Sequence, residues 1–242
     1  NAYHGDGPDG STWNLARLVA AVAEIDGIER IRYTTSHPRD MDDELIEAHG
    51  EIDKLMPFLH LPVQSGSDKI LKAMNRPYTR EHYLNLIQQT KKIIPQVKFS
   101  TDVIVGFPGE TDELFLETYN FLVNLDISYL HVFTYSERDN TLAANMEGAV
   151  PLKTRKKRSK MLRGLSAKKR RAFYESQLGK IHEVLFEGEN KEGYIHGFTE
   201  NYVKIKFPWN PYLVNTLQQV KLIEIAEDGI VKAQLVSVPA EV

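Results

Sequence analysis

FSTDVIVGFPGETDELFLETYNFLVNLDISYLHVFTYS, residues Phe99 to Ser136, decides the reading of the fold. It opens on a β-branched and aromatic run ending at Val105, turns through Gly106 to Glu110, and closes on a second such run from Tyr129. Between them Leu114, Phe115, Thr118, Phe121, Leu122 and Leu125 fall on one stripe of a helix. Thr111 is placed to cap that helix, with Asp112 and Glu113 in its first turn, where the partial positive charge of a helix start favours them. Strand, helix and strand at this spacing form a βαβ unit, whose strands run parallel.

Two earlier runs repeat the pattern, IRYTTSH from Ile31 and FLHLPVQSGS from Phe58. Helices are expected in STWNLARLVAAVAEI, in DMDDELIEAHGEI and from Thr79 to Ile94, which stops before Pro95. Each of the four strand runs starts apolar and finishes polar, at Thr35, Ser36 and His37, at Gln64, Ser65 and Ser67, at Gly106 to Glu110, and at Tyr135 to Arg138. The carboxyl ends of parallel strands and the loops after them make the rim of α/β sites, so these residues predict a site. Ser67, like Thr111, is also a candidate helix cap. Pro62 cannot donate to a sheet ladder, which predicts a distortion exposing the backbone of Val63 and Gln64.

The 242 residues are 42% hydrophobic and 26% charged, ordinary globular values. No apolar run is long enough to cross a bilayer and the start resembles no signal segment, so a cytoplasmic protein with no membrane partner is expected. Cysteine is absent, which excludes disulfides, thiolate nucleophiles and any iron–sulfur cluster held by this chain. Eleven of the 30 lysines and arginines lie between Lys153 and Arg171, with no acidic residue among them. After a linking loop, SERDNTLAANMEGAVP, a long basic helix is expected from Leu152 to Gln177. Five short strands follow in IHEVLFEG, GYIHGF, NYVKIKF, QQVKLIEI and GIVKAQLV, fitting a small antiparallel barrel of the oligonucleotide-binding kind. The division is therefore 1–150 for a β/α barrel part, 151–177 for a basic linker helix and 178–242 for the small barrel. Lys156, Lys157, Arg158, Lys168, Lys169 and Arg170 of the helix, with Lys204 and Lys206 among aromatic residues of the barrel, are the candidate RNA contacts.

Other chemistry finds little support. His37 lies at a strand's carboxyl end, whereas His60 and His131 come early in theirs, so the three are not expected to converge on one ion and no metal site is assigned. A nucleophile elbow, a phosphate-binding loop and a dinucleotide fingerprint are all absent. The Gly106–Glu110 loop is the informative one, since its glycines permit close backbone approach to a ligand.

As whole strings, TTSHPRDM, HLPVQSGSDKILKAMNRPYTREHY, TDVIVGFPGETDE and FTYSERDNT resemble the later part of the radical SAM domain of the tRNA methylthiotransferases, the MiaB, MtaB and RimO group. The five-strand tail resembles their TRAM domain. The resemblance covers essentially the whole chain. It implies a partial (β/α) radical SAM barrel followed by a TRAM-like, OB-like β-barrel. It also implies an enzyme that adds a methylthio group to an N6-modified adenosine beside the anticodon, with S-adenosylmethionine and [4Fe-4S] clusters as cofactors. Its partners would be the tRNA anticodon stem-loop, an electron donor and a missing amino-terminal part of the same protein.

By position, the resemblance places Gln64 and Ser65 near the ribose and amino-acid portion of S-adenosylmethionine. It places Val105, Gly106, Phe107 and Glu110 near the adenine and methionyl group, and turns Ser36, His37, Tyr135, Ser136 and Arg138 towards the cavity. Two departures stand out. The family's CxxxCxxC loop and second cluster are missing, so no catalytic residue is assigned and the chain alone is expected to be inactive. Asp139-Asn140 stands where the family commonly has Pro-Gly. TTSHPRDM and LPVQSGSDKILKAMNR lean towards the isopentenyladenosine type, whereas DISYLHVFTYSERDNT and HGFTENYVKIKF lean towards the threonylcarbamoyladenosine type. The basic helix disfavours the ribosomal-protein type. The rival readings are a non-catalytic RNA-binding module on a barrel scaffold and a metal-dependent barrel hydrolase, which the histidine placement disfavours.

Overall fold

The computed structural model describes residues 3–8, 10–34 and 37–236. They form two compact units, Asn1–Ala167 and Lys168–Val242. No helix among the described residues is long and apolar enough to cross a membrane.

The first unit begins with a two-residue hairpin, β1 (Gly5–Asp6) against β2 (Thr12–Trp13), followed by α1 (Leu15–Ala23) and α2 (Asp43–Glu51). Asn14 and Asp42 cap these helices by accepting from Arg17 N and Leu45 N. Then come β3 (Phe58–His60), α3 (Asp68–Ala73), α4 (Arg80–Ile93), β4 (Lys98–Val105), α5 (Asp112–Asn124) and β5 (Tyr129–Thr134). β3, β4 and β5 form a parallel sheet in that order, with Ser100 opposite Tyr129 and Val105 opposite Thr134. Successive side chains on a strand alternate faces. Leu59, Phe99, Val103, Val105 and Leu130 are buried in the core with Tyr83 and Leu122 of the helices. The alternate residues, among them His60, Asp102, Ile104, His131 and Phe133, occupy the other face.

Three strands form where four runs were expected. Among the described residues Ile31 makes only an isolated parallel bridge to Leu55, with Arg30, Arg32 and Thr34 around it polar and Tyr33 the one further residue of the run that packs on the core. β3 stops at His60, two residues before Pro62. The distortion expected at Pro62 is present, but it does not expose the backbone: Val63 N donates to Thr101 Oγ1 at 2.8 Å, and Tyr78 Oη donates to Val63 O at 3.2 Å. Thr111 caps α5 as expected, accepting from Leu114 N. Ser67 stands at the N-cap position of α3 but makes no side-chain cap bond.

The basic helix α6 (Leu152–Glu175) ends two residues short of the expected Gln177. Its first part belongs to the first unit, where Leu162 and Leu165 enter the core. Ser166 Oγ donates to Leu130 O at 2.7 Å and accepts from Leu130 N at 2.9 Å, occupying backbone groups that β5 would otherwise leave unpaired on its outer edge.

In the second unit, β6 (Ile181–Lys191), β7 (Tyr194–Thr199), β8 (Lys204–Pro208), β9 (Leu217–Ile225) and β10 (Val231–Leu235) pair in the ring order β10-β8-β7-β6-β9, which closes on itself. The pairing is mixed rather than wholly antiparallel, because β10 runs parallel to β8. Val184, Phe186, Ile195, Ile205, Val220, Leu222 and Val231 fill the interior, and Phe173 and Tyr174 of α6 pack against them.

Candidate functional site

The ends of β4 and β5 and the loops after them enclose a cleft of about 390 Å³. Gln64, Ile104, Phe107, Phe133, Tyr135, Ser136 and Arg138 line it, and Thr141 and Ala143 of the linking loop complete it. Gln64 has φ +69, in the left-handed region that a residue with a Cβ occupies only under constraint. The constraint is visible: Gln64 N donates to Asp102 O at 2.8 Å and Gln64 O accepts from Ile104 N at 3.0 Å, so the backbone stays stitched to β4 past the proline.

Phe107 and Tyr135 meet edge to face with ring centroids 5.3 Å apart. The Tyr135 Oη is buried and has no hydrogen-bond partner among the described residues. Arg138 is exposed, and its guanidinium makes no ion pair or hydrogen bond among the described residues. An apolar wall, an unpartnered phenol and an unpaired cation suit a ligand with a flat ring and an anionic end. Asn140 takes φ +64, the backbone region that favours glycine, and Asn is among the residues that tolerate it best.

The loop that shapes this cleft is held from behind by α6. Gly106 has φ +78, and a Cβ there would collide with the Arg155 side chain. Arg155 Nη1 donates to Tyr135 O at 3.0 Å and Nε to Val150 O at 2.6 Å, while Nη2 pairs with Glu137. Glu110 Oε2 accepts from Gly106 N at 2.9 Å, and its other oxygen receives Arg158 Nη1 at 2.8 Å. Arg158 also reaches Asp112 at 2.7 Å. Burial pushes the Glu110 carboxyl up, against the opposing pull of Gly106 N–H and Arg158.

Of the residues assigned from sequence, the structure brings Gln64, Phe107, Tyr135, Ser136 and Arg138 to the cleft. Gly106 shapes it without lining it. Ser65 is buried and turned to α5, its Oγ 3.1 Å from Thr118 Oγ1. Val105 points into the core, because its strand parity is opposite to that of Ile104. Glu110 is a buried brace rather than a cleft wall. His37 accepts from Arg39 N at 3.2 Å and packs edge-on to Tyr78, away from the cleft lining. Ser36 lies outside the described residues, as does Thr35. Ile104, Phe133, Thr141 and Ala143 were not anticipated. The alternation of faces in β4 and β5 is the signal that selects the first two.

His37 stands apart from His60 and His131, as their places along the strands predict, but the meeting of those two with a carboxylate was not anticipated. His60 and His131 converge with Asp102 on the exposed side of the parallel sheet.

Among the expected RNA contacts, Lys156, Lys157, Lys168 and Arg170 are exposed, and Lys169 is half-buried. Arg158 is not on that surface, since Glu110 and Asp112 hold it inside. In the second unit Lys204 lies over the Phe198 ring, which stacks on Tyr202 with centroids 4.5 Å apart. Lys206 lies over Tyr194 and pairs with Asp228 at 2.6 Å.

Residues 5–122 match the profile of the Radical SAM superfamily. The tRNA-2-methylthio-N(6)-dimethylallyladenosine synthase of Bartonella bacilliformis is 47% identical over 191 residues, covering 79% of this chain and 42% of that protein. The synthase of the same name from Bartonella henselae is 48% identical over 187 residues, 77% of this chain and 41% of its own. The chain thus spans about two-fifths of the length of the curated relatives it matches. Among solved structures, coproporphyrinogen III oxidase from Escherichia coli aligns over 55% of this chain and 31% of its own, at 18% identity and a TM-score of 0.47. By sequence the chain is similar to the radical SAM superfamily over residues 5–122 and, over about four-fifths of its length, to tRNA-2-methylthio-N(6)-dimethylallyladenosine synthases.

Proposed function

We propose that the chain forms part of a radical SAM tRNA methylthiotransferase that adds a methylthio group to N6-dimethylallyladenosine next to the anticodon. The carrying observation is the 47% identity over 191 residues to a synthase of that name. The cleft fits S-adenosylmethionine by the chemistry of its donors. Phe107, Ile104 and Phe133 offer an apolar wall for adenine, the unpartnered Tyr135 Oη offers a buried hydrogen bond, and Arg138 offers a cation for the carboxylate. Bound there, S-adenosylmethionine would supply the radical chemistry of the superfamily. The chain's own part is to orient it: Gln64 and Ser136 are the polar groups on the wall, and the Arg155 and Arg158 braces keep the Gly106–Glu110 loop in shape.

The chain has no cysteine, so its residues do not fit an iron–sulfur cluster, and the thiolates for one would come from outside these 242 residues. An electron donor belongs to the same proposal. The second unit's barrel is assigned as a TRAM-like, OB-like module for the tRNA anticodon stem-loop, supported by the Phe198–Tyr202 stack beside Lys204 and by the exposed cations of α6. The sequence division at 150 and 177 is kept as the functional one, with the helix as a basic connector.

The test is nucleoside mass spectrometry of tRNA from a source strain lacking the gene. Loss of the 2-methylthio form with accumulation of N6-dimethylallyladenosine is expected. An unchanged profile, or loss confined to the threonylcarbamoyl derivative, overturns the assignment.

A further inference from the structure

The parallel sheet carries a second polar cluster that the cleft does not use. Asp102 of β4 lies directly opposite His131 of β5, and His60 of β3 lies opposite Ser100, one pleat below Asp102. All three side chains share the face away from the helices, and their ligand atoms lie within 4.8 Å of one another. His60 Nε2 stands 3.3 Å from Asp102 Oδ1. That is close to the roughly 3.4 Å separation of two donors held about 2.1 Å from a tetrahedral ion.

The outer contacts are those of a metal ligand as well. His60 Nδ1 is 2.8 Å from Ser100 Oγ, a hydrogen bond that fixes the ring and leaves Nε2 as the inward donor. His131 is exposed and packs edge-on against His60, with centroids 5.5 Å apart. Two imidazoles and one carboxylate are the donor set of three-ligand zinc sites, which keep a fourth position open.

We propose that His60, Asp102 and His131 form a site for one divalent transition metal ion of the zinc type. Along the strands, Asp102 and His131 lie two residues, or about 7 Å, below Ile104 and Phe133 of the cleft wall. The ion and a ligand in the cleft would therefore occupy one sheet face. The inference rests on these side chains alone and stands whatever reaction the cleft supports.

Zinc binding to the 242-residue chain, freed of metal by chelator and measured by equilibrium dialysis, tests it. One ion per chain is expected, with cobalt giving the visible absorption of a four-coordinate site. H60Q and H131Q should each weaken binding at least tenfold, and S100A, which keeps all three ligands, by about tenfold. H82A, at an exposed position on α4, should change nothing. His131 is exposed, so H131Q keeps the fold, and circular dichroism verifies this for every variant. Failure to hold zinc, or zinc held equally by H60Q and H131Q, overturns the site.

Discussion

Among the described residues Tyr135 buries a phenolic oxygen without a partner, and Arg138 presents an unpaired cation to the same cleft. For the proposed ligand, Y135F should lower S-adenosylmethionine affinity by about 3- to 10-fold, the worth of one neutral hydrogen bond. R138A should lower it by roughly 10- to 100-fold, because a charged donor is removed. Isothermal titration measures both, and unchanged affinity in both variants would remove the cleft from the proposed role. Y135F should leave stability unchanged or raised, since it deletes an unsatisfied buried group. The opposite holds for Glu110. E110A takes the buried carboxylate from the Arg158 guanidinium, leaving it the solvent-exposed Asp112 and the backbone carbonyl of residue 110, and should cost about 3 kcal/mol in urea unfolding. The double variant E110L/R158M should recover most of that loss. A neutral E110A would mean that the pair does not brace the loop.

At the scale of elements, α6 has two chemistries along one basic run. Arg155 and Arg158 turn inward and hold the loops after β4 and β5, while Lys156, Lys157, Lys168 and Arg170 remain exposed. Charge reversal of K156E/K157E or K168E/R170E should weaken binding to a tRNA anticodon stem-loop. For every phosphate that the helix no longer neutralises, the slope of log affinity against log salt should fall by about 0.7 to 0.9. Equal affinity and slope in both variants would sink the RNA role of the helix. R158E belongs to the other class and should unfold the first unit, because it sets a third carboxylate against Glu110 and Asp112. A basic string reads as one surface in sequence, and only helical phase against a neighbouring element divides it. The strands show the same limit. Ile31, read as a strand, keeps one bridge, because strand length depends on how many neighbours a run can bury against.

For the molecule as a whole, His49 links stability to pH. It is buried in the first unit's core with Nε2 2.7 Å from Tyr33 Oη, and burial lowers its pKa from 6.5 to about 4. The unfolded chain takes up a proton below pH 6.5 that the folded chain refuses until about pH 4. Stability present above pH 6.5 is therefore lost as pH falls through that window, by ~3 kcal/mol in all. Urea unfolding between pH 7 and pH 5 should show the decline in the wild type and a flatter profile in H49Q. A decline of the same steepness in H49Q would assign the proton uptake to other groups.

Local chemistry was legible in the sequence: the βαβ alternation, the Thr111 cap, the disturbance at Pro62, the long basic helix and the five short strands each follow from periodicity, capping or the missing proline N–H. Five cleft residues, Gln64, Phe107, Tyr135, Ser136 and Arg138, were legible too, because polar strand ends in a parallel sheet converge on one side. The tertiary structure alone decided which way each of the others turns. Val105 faces the core and Ile104 the cleft by strand parity, which a one-residue shift in register would reverse. Ser65, Glu110 and Arg158 became braces because burial requires each polar atom to find a partner. His60, Asp102 and His131, 29 to 71 residues apart in the chain, became neighbours because parallel pairing brings successive strands within about 5 Å of each other.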